Sequence, residues 1–179
     1  MNLFPNRRRG WEVTLGAIAL IYLSLGPVGS FQLWLKSHGW QRPVSESILL
    51  FSAVTILYLV VVRLDRRTPS HLLALAGVGA AYLAMMITLA PHPSDRIHLL
   101  EYSLLTISFY YALKFDFSPP LRYPLAWMGA FASGFVDELI QRVVPTRAFD
   151  LHDALLNGAA ASLALLFTGL VLEREGARS

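Results

Sequence analysis

The run DELIQRVVPTRAFDLHDALLNG, residues 137–158, crowds carboxylates, guanidinium groups and amides into a chain that is otherwise oily. On a helix Asp137 and Glu138 each reach Gln141, at i+4 and i+3, while Asp150, Asp153 and Asn157 share one stripe. Upstream, in SDRIHLLEYSLL, Asp95, His98 and Tyr102 fall at i, i+3 and i+7 on a stripe of their own. These residue types suit proton transfer and the holding of an anion. Glu138 or Asp137 is the candidate general acid or base, with His98 as its partner. Arg147, helped by Arg142, is the candidate holder of a phosphate through charge-assisted hydrogen bonds. Gln141, Asn157 and Tyr102 would orient a substrate, and Asp150 and Asp153 complete the binding set. Of the two adjacent acids, Glu138 is expected to be the buried one, because its longer stem reaches across a helix interface.

Each residue taken singly also has a plainer reading. Asp150 followed by Asp153 makes a fair N-cap with an acid at the third helical position. Arg147 can serve only to pair with Asp150 or a lipid headgroup, and His98 and Tyr102 can be interfacial residues that snorkel. Glu101 is rotated off the His98 stripe, and His38, His71 and His92 are read as loop residues. Asp137, Glu138, Asp150, Asp153 and His98 are of the types that bind hard cations, but no spacing here fixes a coordination geometry, so no metal is assigned. No cofactor is legible. The zinc-protease, nucleophile-elbow, phosphate-loop and SxxK patterns are all missing. Lacking Cys, the chain has no disulfide and no thiolate chemistry.

The elements that carry these stripes must lie in lipid. Of 179 residues, 55% are hydrophobic and only 15% charged, with a mean hydropathy of +0.49, too apolar for a soluble domain of this size. The expected fold is an all-α transmembrane bundle of about six helices: Trp11 to Val28, Ser47 to Val62, Leu72 to Ala90, Ile97 to Leu113, Tyr123 to Val144 and Leu151 to Leu172. The first run also has the flanks of a secretory signal, but its length favours a retained helix. The net charge of +3 does not imply nucleic acid, because Lys and Arg are spread between the apolar runs. With the N-terminus inside, ten of these residues fall on the cytoplasmic side and five outside, which places both termini in the cytoplasm. The three polar stripes then meet at the outer face. Small residues four apart, as in Gly77 and Ala81, Ala80 and Ala84, Gly129 and Ser133, Ala130 and Gly134, and Gly158 and Ser162, offer faces for close helix contact.

Residues 94–166 resemble the VanZ-like membrane proteins. The likeness rests on His98 and Tyr102, then Asp137, Glu138, Gln141, Pro145, Arg147, Asp150, Asp153 and Asn157 in order. The sequence departs from the family pattern in having Arg96 where Lys is common, Thr146 where Gly is common, and Ala160 and Ala161 where a Gly often follows the Asn. Residues 1–93 form transmembrane segments with no recognised motif, and 94–179 form the VanZ-like region. The resemblance implies a multi-pass protein of the cell membrane, linked to the cell envelope and to glycopeptide (teicoplanin) resistance. Two functions fit the residues. One is binding, with or without chemical alteration, of an anionic membrane lipid or lipid-linked precursor at the outer face. The other is a non-catalytic structural or assembly subunit of a membrane complex. Neither reading sets an oligomeric state.

Overall fold

The computed structural model describes residues 2–144 and 150–173. Among the described residues the chain is all-α, with six helices and no strand. Helix α1 spans Arg7–Ser37; α2, Gln41–Tyr58, runs on through a π-helical turn, Leu59–Arg63; α3 spans Pro69–Thr88 and α4 Pro93–Leu113. Helix α5 spans Pro119–Gln141, and α6, Leu151–Phe167, continues through a second π-helical turn, Thr168–Leu172.

Most helices begin earlier than the apolar runs suggest. Pro69, Pro93 and Pro119 each start one, because a first-turn residue needs no N–H and proline has its φ preset. Asn6 caps α1 by accepting from the Arg9 N–H, and Asp150 caps α6 by accepting from the His152 N–H. Helix α1 extends past Val28 with Pro27 in its interior and stops where Gly39 takes φ +73. His71, read as a loop residue, lies instead in the first turn of α3, buried, with Nδ1 2.6 Å from Thr68 Oγ1.

Four helices are long and apolar enough to cross a membrane: α1, α2 with its π-turn, α3, and α6 with its π-turn. Apolar surface faces outward, with Leu23 78% and Phe51 and Ile87 each 75% exposed, while Asp137, Glu138 and Asn157 are wholly buried. That inversion of the soluble pattern is what lipid as solvent demands, and the chain is a membrane protein. Helices α4 and α5 fall outside that set of four; α4 carries Asp95, Arg96, His98 and Glu101, and α5 carries Arg122, Asp137, Glu138 and Gln141. Helix α4 is the hub, packed on α1, α2, α5 and α6, and α5 also packs on α6.

The small-residue faces divide. A Cβ on Gly129 would come within 2.9 Å of Phe109, one on Gly134 within 2.9 Å of Asn157, and one on Gly158 within 3.0 Å of Phe131, so these helices do approach closely. Gly77 has nothing within 4 Å. Helix α3 meets the bundle through His71, Val78 and Met85 instead, which leaves its expected small-residue face open.

The basic end of the bundle is tied by polar contacts. Asp116, after α4, pairs with Arg7 at 2.6 Å and accepts from Trp11 Nε1 at 2.9 Å. Glu173, after α6, accepts from Lys114 Nζ at 2.8 Å and from the Tyr111 hydroxyl at 2.9 Å. Arg66 Nη2 donates to the Leu172 carbonyl at 2.8 Å.

Candidate functional site

At the opposite end, the terminal turns of α4, α5 and α6 bring most of the expected residues together. Helix α5 ends by turning Asp137, Glu138 and Gln141 inward, all buried. The Gln141 amide bridges the two acids, donating to Glu138 Oε1 at 3.2 Å and to Asp137 Oδ2 at 3.3 Å. This follows directly from their i+3 and i+4 spacing. Glu138 is not the sole buried member: both acids have no solvent exposure, because α5 at this level is enclosed by neighbouring helices on more than one side.

The second oxygen of Glu138 crosses to α6. Oε2 accepts the backbone N–H of Asp150 at 3.1 Å, so the start of α6 is hung on the end of α5. Asp150 itself uses its side chain as a helix cap, bonding the His152 N–H at 2.8 Å. Asp153, one turn on, is half-buried, with Oδ1 3.6 Å from His152 Nδ1. Glu138 lies within coulombic reach of Asp137, Asp150 and Asp153, and Asp153 within that of Asp95. Carboxylates gathered this closely repel one another unless a proton, a counter-charge or a ligand relieves them. Arg147, the expected anion holder, lies outside the described residues, and Arg142 is exposed at the C-cap of α5.

Deeper in the junction sit Asn157 and Tyr102. Asn157 is fully buried, and among the described residues neither its Nδ2 nor its Oδ1 has a hydrogen-bond partner, while the buried Tyr102 hydroxyl lies within hydrogen-bonding reach of Asp137. Gly134 makes room for both, since a Cβ there would lie 2.9 Å from Asn157 Nδ2 and 3.2 Å from Tyr102 Cε1. Each buried polar group without a partner costs about 1–3 kcal/mol, so helix packing alone gives no reason for an asparagine here.

Asp95 and His98 on α4 are buried as their stripe implies, and the His98 and Tyr102 rings stack at 6.3 Å. Neither His98 nor Tyr102 snorkels. His98 Nδ1 stands 3.5 Å from Glu101, the acid read as off the stripe. Both border a space of about 20 Å³ between α1 and α4, lined also by Ser24, Gln32 and Ser94, which is room for about one water. Among the described residues no three carboxylate, histidine or cysteine side chains are placed to share a metal ion.

Helix α1 supplies a neighbour that the sequence reading passed over. Tyr22 donates to the Ser133 carbonyl at 2.9 Å, beside Asp137. Its one signal is a hydroxyl in the middle of an apolar run. The chain matches no family model, no curated protein and no solved structure.

Proposed function

We propose that the chain is a VanZ-like, multi-pass protein of the cell membrane, with both termini cytoplasmic, and that the outer junction of α4, α5 and α6 binds the headgroup of an anionic lipid or lipid-linked precursor. On this reading the headgroup enters past Asp150 and Asp153 and reaches Asn157 and Tyr102. Arg147 meets its phosphate. Glu138, fixed through both oxygens, is positioned to exchange a proton with whatever binds, and Asp137 is held beside it by the same Gln141 amide. A link to glycopeptide resistance follows from the choice of ligand, since such antibiotics target lipid-linked wall precursors at this face.

Asn157 is the observation that carries the reading. A network that served only to pin helices would pair its buried amide, as such groups nearly always are paired. Among the described residues this one has no partner and sits beside a cluster of acids. The non-catalytic alternative draws its support from a different contact, the Glu138 to Asp150 bond that joins α5 to α6.

Intact-mass spectrometry of the protein purified in mild detergent separates the two. A lipid adduct is expected on the wild type, lost with Arg147→Ala and retained with Glu138→Gln. Equal adducts on the wild type and Arg147→Ala would reject headgroup binding at this site.

A further inference from the structure

A second surface lies toward the basic end and owes nothing to the outer junction. Between α5 and α6 runs an open groove of about 700 Å³, walled by Tyr123 and Trp127 on one side and by Ser162, Leu166, Gly169 and Leu170 on the other. Its walls are fixed. Trp127 Nε1 donates to both the Gly158 carbonyl and Ser162 Oγ at 3.1 Å, and its ring stacks on Phe131 at 8°. Gly169 lets Tyr123 close over α6, since a Cβ there would lie 3.1 Å from the Tyr123 hydroxyl.

Next in sequence to the groove's Tyr123 stands Arg122, a cation with no acid partner among the described residues. It lies beside the Tyr110 hydroxyl, whose ring is 4.9 Å from that of Tyr123. Its Nε donates to the Phe117 carbonyl at 2.8 Å, and among the described residues no carboxylate pairs with it. Nearby Arg7 and Lys114, by contrast, are bound to Asp116 and Glu173.

We propose that this groove holds an acyl chain of an anionic phospholipid whose phosphate is met by Arg122. The charge sits at the helix ends, where headgroup phosphates lie, and the apolar walls continue from it into the hydrocarbon depth. A flexible acyl chain can run between outward-facing Leu166 and Leu170 and the Tyr123 and Trp127 wall, while those two leucines hold off the backbone of a second helix from Ser162 and Gly169. The positive-inside rule puts this end at the inner leaflet, so the lipid differs in leaflet from any ligand of the outer junction.

Native mass spectrometry with added phosphatidylglycerol or phosphatidylcholine tests the proposal. The wild type should favour phosphatidylglycerol. Arg122→Gln should weaken that lipid about fivefold and erase the preference, while Arg122→Lys keeps most of it. Leu166→Trp, which fills the groove, should weaken both lipids. Gly77→Ala, on the open face of α3, should leave this binding unchanged, and a loss seen with Arg147→Ala but not with Arg122→Gln would belong to the outer junction and not to the groove. An undiminished preference in Arg122→Gln overturns the proposal. So does a Leu166→Trp protein that binds both lipids normally but changes its oligomeric mass, which would give the groove to a second copy.

Discussion

Glu173 shows how one side chain can report on the bundle's closure. Burial pushes its carboxyl up, but the hydrogen bonds from Lys114 and Tyr111 and the Lys114 charge outweigh burial and hold it below the ordinary 4.5. A carboxyl lowered in the folded state adds stability that is present above 4.5 and is lost as pH falls through the folded value. Unfolding curves in detergent, taken at neutral pH and then below 4.5, should show the wild type losing stability and Glu173→Gln losing less. Equal acid sensitivity in the two proteins would remove the clamp. Contacts of this kind were not legible in the sequence, because Lys114 and Glu173 are far apart along the chain and meet only once α4 and α6 pack. The Gln141 bridge to Asp137 and Glu138 was legible, since helical spacing alone brings those three together. Tyr22 escaped notice for the opposite reason: its role depends on α1 lying against α5, and no local pattern announces that.

Helices were readable from apolar runs and charge breaks, and all six are present. Their ends were not, because a proline first turn or an asparagine cap extends a helix through residues that look polar. Small-residue spacing was a partial guide: it shows which faces permit close approach, and only packing decides which are used. Two alanine substitutions separate the used face from the unused one. Gly134→Ala drives a methyl toward Asn157 and Tyr102 and should cost about 1–3 kcal/mol. Gly77→Ala meets open space and should be neutral or stabilising by up to about 1 kcal/mol. Denaturant midpoints in mixed micelles read both. A Gly134→Ala protein as stable as the wild type would mean that α5 does not sit this close to α4 and α6.

For the whole molecule, the polar junction lies at one end of the bundle and the Arg7–Asp116 and Lys114–Glu173 pairs at the other, and the ten-to-five division of Lys and Arg predicts that the second end is cytoplasmic. Reporter fusions at Ser94 and at Thr146 should both read outside, and a cytoplasmic signal at either would separate the polar runs across the membrane. That the outer junction exists to bind, and not merely to join helices, is tested most directly by the stability of Asn157→Leu in lipid-stripped protein. Leucine keeps the branched four-atom skeleton of asparagine, with bulkier methyl groups, and removes two buried polar atoms that have no partner among the described residues. The expected result is a thermal midpoint equal to the wild type's or higher, by an amount worth about 1–2 kcal/mol. A midpoint lowered by an equivalent of about 1 kcal/mol or more would show that the amide holds the helices together, and would contradict the binding role.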